Sequence, residues 1–357
     1  MRNRKEPSVF FLTVGSQSSS SYVVRCLAVS RELTRRGYES KCVRSAVLPL
    51  GAPNLLNHLE SWKLVVDARP DVLVLHRSSN PVDHEMIKKI KKTGTKVIFD
   101  YDDAVFELKL LGRMASYSHL GKIMSMSNAV TAGSHYLSEF ASKLNQNVTL
   151  LPSAVDMALF NPSVKSVNHG AGITIGWLGA GTRYQLPYLK ILKNPLNRLA
   201  RKYDFKLKIV SALSKSIRAE FTDQQFEVDF GLDHWVPIEQ ILELIADFDI
   251  GVMPLTDDPW SRGKCAMKLL EYMSMKLATV SSAVGENRYV IDHGCNGFLA
   301  SSPEEWMDDI GRLIEDLDLR KELGENGYKT VKERYSLQAV VDTLEQVIKE
   351  LYDTEPT

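Results

Sequence analysis

The chain reads as an α/β protein, and three observations lead there. Short β-rich apolar runs alternate with longer amphipathic segments over most of the 357 residues. Those runs are apolar on both faces, which suits parallel strands covered by helices. The pattern also restarts about halfway, after a polar loop, and a chain of this length favours two domains at roughly 100–200 residues each.

The first run, Ser8–Val14, ends at Gly15. A helix is expected next, with Val23, Cys26, Leu27 and Ser30 on one face at helical spacing, stopping at Arg36-Gly37 with a basic last turn and a glycine terminator. Strands follow over Asp71–Leu75, Lys96–Phe99, Ala129–Ala132 and Val148–Leu151, with helices near His84–Lys92 and after Ser134. The β-α-β-α order implies right-handed crossovers. Asn161-Pro162 opens a polar loop through Gly172 that reads as a linker, giving domains 1–162 and 163–336.

In the second half, Ile173–Leu178 is a strand ended by Gly179-Ala180-Gly181, followed by strands Leu207–Val210, Val228–Phe230 and Ile250–Met253. Helices fit Tyr188–Tyr203 and Ile238–Ala246, and the last part is helical over Pro303–Leu317, Leu319–Tyr335 and Leu337–Leu351. The segment 337–357 is long enough to pack back on the first domain. Two such domains would face each other across a cleft, with ligands at the carboxyl ends of the strands.

Composition excludes several classes. Lys plus Arg equals Asp plus Glu at 44 each, so no net basic field points to nucleic acid. No run approaches the ~18 apolar residues of a membrane span. The first residues do not form a signal peptide, so a cytoplasmic location is expected. Cys26, Cys42, Cys265 and Cys295 form no C-x-x-C pair, which argues against a zinc site or a disulfide framework.

The segment Asp257–Met273 carries the most chemistry. A loop with Pro259 and Gly263 feeds a short helix, and free N–H groups at a helix start favour a phosphate. Arg262, Lys264 and Lys268 add cations, and Glu271 lies two helical turns beyond Lys264, where it can share that face. This suits a nucleotide diphosphate, with the acid accepting from a ribose; a solvated basic loop with a salt-bridged glutamate is the plain alternative. Gly15 and the serines 16 and 18–21 open a helix and can bond a sugar or phosphate. Asp100, Asp102 and Asp103 crowd the end of a strand and imply hydroxyls, a cation or an arginine nearby. His76 ends another strand, and Trp235 precedes a helix where packing is its expected role. Lys88, Lys89, Lys91, Lys92 and Lys96, with Met86, Ile87 and Ile90 between, make either a solvated face or a peripheral membrane contact.

These motifs resemble those of retaining glycosyltransferases of family 4, with the GT-B fold of two Rossmann-like domains. The resemblance rests on Ile175–Gly179, Asp249–Leu255, Pro259–Cys265, Lys268–Met273, Ser282–Asn287 and Gly294–Phe298, and more loosely on Phe99–Asp103 and Leu151–Asp156. It implies a nucleotide-diphosphate sugar as donor, an acceptor that is a glycan, a lipid-linked molecule or a small molecule, and no metal or other cofactor. Glu271 falls on the family's ribose-binding glutamate. The glutamate eight positions earlier falls on Gly263, a departure from the family pattern, although a subset carries an R-G-K-C-like run. Arg183, after Gly179-Ala180-Gly181, stands where the family places a diphosphate arginine, with Lys264 or Lys268 as the second charge. Asp102 is the nearest counterpart of the residue beside the transferred sugar. A GT-B-fold sugar-nucleotide epimerase and a non-catalytic nucleotide-sugar-binding subunit share these features; a nicotinamide dehydrogenase does not, for want of G-x-G-x-x-G.

Overall fold

A computed structural model describes residues 6–14, 21–45, 52–77, 80–107, 119–164, 172–212, 215–232, 234 and 236–353. The chain forms two compact units. The first contains Met1–Asp156, Arg262–Cys265 and Ser336–Thr357; the second contains Met157–Ser261 and Ala266–Tyr335.

The first unit is built on a six-stranded sheet of order β2-β1-β3-β4-β5-β6, with β1 at Val9–Val14, β2 at Ser40–Ser45, β3 at Val72–His76, β4 at Lys96–Tyr101, β5 at Ala129–Ala132 and β6 at Val148–Leu150. Every neighbouring pair is parallel. The strand order reverses between β1 and β3, the point at which doubly wound sheets take ligands. Val9, Phe11, Val72, Val74 and Ile98 form one face of the core. The helix Leu337–Asp353 covers them with Val340, Val341, Leu344 and Ile348. Arg36 clamps that helix through Asp342 at 2.5 Å and Glu345 at 2.9 Å.

The expected first helix begins differently. Residues Tyr22–Leu27 wind as a wide turn, with the Ala28 N–H donating to the Val23 carbonyl, before an α-helix over Ala28–Arg35. This turn carries Arg25 into the interior and leaves Val23 41% exposed, so Val23 is not on the buried face. Further elements of this unit escape the sequence reading: the helix Leu120–Met126, β2 and the helix Ala52–Ala68. That helix contributes a buried string: Ser45 Oγ lies 2.5 Å from His58 Nδ1, His58 Nε2 lies 2.7 Å from Asp83 Oδ1, and Trp62 Nε1 donates to the same oxygen at 2.8 Å. The lysine-rich helix Pro81–Lys91 buries Ile87 and Ile90 in the unit, while Lys88 and Lys89 stay exposed.

The second unit repeats the plan in the order β12-β11-β10-β7-β8-β9. Its strands are β7 at Ile173–Leu178, β8 at Phe205–Ala212, β9 at Glu227–Leu232, β10 at Ile250–Met253, β11 at Ala278–Ser282 and β12 at Phe298–Ala300. Read from β9 across to β12, this is the doubly wound order of a dinucleotide-binding sheet, reversing between β7 and β10. The core gathers Ile175, Trp177, Ile209, Val252 and Val280 against Leu189, Leu192, Leu196, Trp306 and Ile310. A buried lysine, Lys208, is neutralised by Asp247. Among the described residues no helix is long and apolar enough to cross a membrane.

On the helix Pro303–Glu315, Asp309 is 6% exposed and its Oδ2 has no hydrogen-bond partner among the described residues. Burial pushes its carboxyl up to about 6, against the pull of His293 and Arg312. The folded state therefore holds this proton longer than the unfolded chain does. Stability from this group is greatest below about pH 4, falls as pH rises towards 6, and is flat above. Asp309→Asn should raise the thermal midpoint by several degrees at pH 7 and leave it nearly unchanged at pH 4. Equal midpoints at pH 7 would contradict this placement of the carboxylate.

Candidate functional site

In the second unit the candidate residues gather at the carboxyl ends of β7 and β10. The chain leaves β7 at Gly179, where a Cβ would lie 2.2 Å from the Trp177 ring, so no larger residue fits without moving that ring. Gly181 has φ +67°, and a Cβ there would lie 2.0 Å from Ser211 Oγ. These two glycines let the loop turn tightly over the sheet. Arg183 follows on the short helical turn Arg183–Gln185. It is exposed and holds Tyr184, donating to the phenol oxygen at 3.1 Å with its guanidinium 5.1 Å from the ring centroid.

Beyond β10, Asp258 accepts from the Ser261 N–H at 2.9 Å and closes the helical turn Pro259–Arg262. The helix Met267–Ser274 then starts from Ala266, which has φ +53° and offers no side-chain cap. A non-glycine residue in this conformation is strained, and such strain clusters at functional positions. The uncapped N-terminus leaves backbone N–H groups pointing out of the helix. One turn on, Glu271 is 4% exposed and accepts from Lys268 Nζ at 2.8 and 3.2 Å. Tyr272 on the same helix accepts from the Leu178 N–H at 2.7 Å, tying the helix to the end of β7.

The expectation that Glu271 shares a helix face with Lys264 needs correction. The helix begins at Met267, and Lys264 lies outside it in a segment belonging to the first unit. Lys268 is the cation that meets Glu271, because a helical separation of three residues aligns the two side chains.

In the first unit, Asp100 is the centre of a buried network. Arg25 reaches it through Nε at 2.9 Å and Nη2 at 2.5 Å, and donates from Nη1 to the Leu151 carbonyl at 3.0 Å. Thr131 donates to Asp100 at 2.7 Å, and His76 Nδ1 lies 2.7 Å from it. Burial alone would raise the Asp100 carboxyl, but the charge and bonds of Arg25, with His76, hold it well below the usual range. Its stabilising contribution is present at neutral pH and is lost as pH falls through that depressed value. Arg77, with φ +57°, donates to Asp103 at 2.7 Å and lies 3.4 Å from Asp102. Burial works against the Asp102 charge, but Arg77, His76 and Arg25 lower its pKa overall. Asp103 is pushed up by burial and by Asp102. The three carboxylates are thus balanced by arginines.

The segment Arg262–Cys265 packs into this unit. Cys265 Sγ donates to the Asp102 carbonyl at 3.1 Å and fills the notch left by Gly133, where a Cβ would be 2.5 Å away. A Cβ on Gly263 would lie 2.4 Å from that of Ala104, and Ser134 Oγ contacts the Gly263 carbonyl at 3.4 Å. The departure at Gly263 therefore has a steric cause in this chain. Lys264 is half-buried and pulls on Asp103, while Arg262 is exposed. Gly15, the serines through Ser20 and Trp235 lie outside the described residues. Sequence reasoning missed Arg25, Thr131 and Gly133. An arginine between Val24 and Cys26 in a helix-forming apolar stretch was the available signal for the first.

Gly263→Ala should destabilise the protein by about 1–3 kcal/mol through overpacking. Adding Ala104→Gly should restore most of that loss in urea unfolding. A tolerated single variant would mean that the two positions are not in contact.

The sequence of residues 173–316 matches the family model described as glycosyl transferases group 1. The whole chain is similar in fold to solved structures at low identity. A glycosyltransferase from Rickettsia africae has 16% identity, a TM-score of 0.71, and coverage of 98% of this chain and 100% of its own. HepE from Anabaena, in complex with UDP and glucose, has 13% identity and a TM-score of 0.69 over 96% of this chain and 100% of its own. Sucrose-phosphate synthase from Thermosynechococcus elongatus has 11% identity and a TM-score of 0.71, covering 98% and 100%. Residues 173–316 match the glycosyl transferases group 1 model, in a chain whose two parallel sheets have the GT-B fold.

Proposed function

We propose that the chain is a retaining glycosyltransferase of family 4 that moves a sugar from a nucleotide-diphosphate sugar to an acceptor hydroxyl, in glycan or glycoconjugate assembly. One observation carries this reading. Glu271 is buried and held by Lys268 on a helix with a bare N-terminus, inside the domain that matches group 1 glycosyltransferases. HepE binds UDP and UDP-glucose, and a starch synthase of the same fold binds ADP and acarbose, which supports a nucleotide donor and a sugar acceptor.

The proposed chemistry follows from charge. The anomeric C–O bond breaks, and negative charge develops on the leaving diphosphate. Lys268, Arg183, Arg262, Lys264 and the N–H groups of the helix start stabilise it, the largest catalytic term in such reactions. The acceptor oxygen bonds to the anomeric carbon on the face the leaving group departs. Its proton passes to a leaving phosphate oxygen, so no protein nucleophile and no cofactor besides the donor is called on. Glu271 accepts from the ribose, and Asp102 stands beside the sugar in transfer. A paired-carboxylate hydrolase would instead need two acids flanking the bond.

A peripheral contact with anionic lipid, bringing in a lipid-linked acceptor, belongs to the same proposal. It would rest on the exposed charge of Lys88, Lys89 and Lys92, because Ile87 and Ile90 are in the core. Flotation with anionic liposomes at low salt, lost at physiological salt, is the expected result.

A panel of nucleotide sugars, screened by thermal shift and then by transfer and donor hydrolysis, tests the reading. Glu271→Ala should weaken donor binding about 10-fold or more, the effect of removing a hydrogen bond to a charged group. Unchanged affinity would remove Glu271 from the site. Lys264→Ala should lower kcat about 100-fold with little change in thermal midpoint. An isomerised sugar formed from donor alone would indicate an epimerase, and binding without turnover a non-catalytic subunit.

A further inference from the structure

Thr13, His76, Asp100 and Thr131 lie in register across four adjacent strands, so their side chains share one face of the sheet. They stand where the strand order reverses. Asp100 is fully engaged by Arg25, Thr131 and His76, but His76 is not. Its ring is 0% exposed, Nδ1 meets Asp100, and Nε2 has no hydrogen-bond partner among the described residues. The atom nearest in function is Asp102 Oδ1, 3.8 Å away, which is buried, lies 3.4 Å from Arg77 Nε and makes no hydrogen bond among the described residues. Buried polar atoms are rarely left unmatched, and two such atoms facing each other call for an explanation.

The chemistry of the ring fixes which proton is missing. Ionised Asp100 accepts and cannot donate, so the His76 proton sits on Nδ1. A neutral ring would then turn a lone pair on Nε2 towards the carboxylate of Asp102. That arrangement is repulsive until a proton enters between them. With Nε2 protonated, the ring lies between two carboxylates, and Asp102 closes the remaining distance by a side-chain rotation. We propose that His76 is a positioning residue for Asp102, holding a proton between Nε2 and Oδ1 that orients this carboxylate for the substrate hydroxyl it meets.

This rests on the functional reading above only for the hydroxyl; the proton-sharing pair stands on geometry. The charged groups around the ring are Asp100 and Asp103 from the β4 end, Arg25 from the wide turn and Arg77 from the β3 end. From the 262–265 segment, Lys264 acts on Asp103 and the thiol of Cys265 on Arg25. The strained backbone of Arg77, immediately after His76, marks the same spot as built for a purpose.

Two measurements on the full chain decide the matter. Long-range proton–nitrogen spectra of 15N-labelled protein follow the His76 ring, assigned by its loss in His76→Asn. Nδ1 should stay protonated throughout while Nε2 titrates, and Asp102→Asn should lower that midpoint by about one pH unit. An unmoved midpoint, or titration at Nδ1, would overturn the proposal. In kinetics with the sugar nucleotide that the wild type turns over, His76→Asn retains an amide N–H for Asp100 but lacks Nε2. Its kcat should fall about 10-fold, with the alkaline limb of the kcat profile lost and KM within about 2-fold. An unchanged pH profile would reduce His76 to a structural part. If His76→Asn fails to fold, the wild-type titration and Asp102→Asn decide alone. If the wild type turns over no sugar nucleotide, the functional reading fails while the spectra still judge the pair.

Discussion

A carboxylate almost sealed from water sits under the helix that follows β1, and much of the first unit is arranged to keep it charged. Burying an ion costs several kcal/mol unless its hydrogen-bonding capacity is met. Asp100 meets that condition with two bonds from Arg25, one from Thr131 and one from His76. The ends of β3, β4 and β5 and the wide turn at residues 22–27 are therefore referred to one point. Arg25 extends the tie to the Leu151 carbonyl just beyond β6. Loops leaving these strands start from fixed positions, and those loops carry Arg77, Asp102, Asp103 and Gly133. Wide helical turns recur at functional positions, and here the turn delivers Arg25 to a strand it would otherwise miss.

Size complementarity does for the 262–265 segment what charge does for Asp100. Gly133 and Ala104 form shallow notches that accept Cys265 and Gly263. An acidic side chain at position 263 would have no room here. The cations on that segment are Arg262 and Lys264, with Asp103 as the countercharge near Lys264. In the second unit a different device serves the same end: Tyr272 ties the helix Met267–Ser274 to the end of β7 through the Leu178 N–H.

The parts legible from the amino-acid order were those written in periodicity. Runs such as Val72–His76 and Ile173–Leu178 are apolar on both faces and became central parallel strands. The helix Leu337–Asp353 showed its stripe plainly. What could not be read depended on tertiary context. β2 is an edge strand of Ser, Lys, Cys, Val and Arg, whose polar exposure hides it. The helix Ala52–Ala68 has apolar residues around its whole circumference, with Leu56 60% and Leu64 62% exposed, so it lacks a clean stripe. For the candidate site, the crowding of Asp100, Asp102 and Asp103 called for hydroxyls, a cation or an arginine, and two arginines and Thr131 answer it. Which arginines would answer, and that Lys264 would leave the helix, depended on contacts between segments 26 to 163 residues apart.

The Ser45–His58–Asp83 string shows how far interatomic distance alone can mislead. A hydroxyl, an imidazole and a carboxylate stand in sequence at bonding distance, as in many acyl-transfer enzymes. Yet all three side chains are fully enclosed, and Trp62 caps the acid. No ester or fluorophosphonate could approach the hydroxyl, so the trio works as a polar mortise joining an edge strand to two helices. Geometric templates for hydrolases would flag it, and only a criterion of solvent access separates such a joint from a nucleophile.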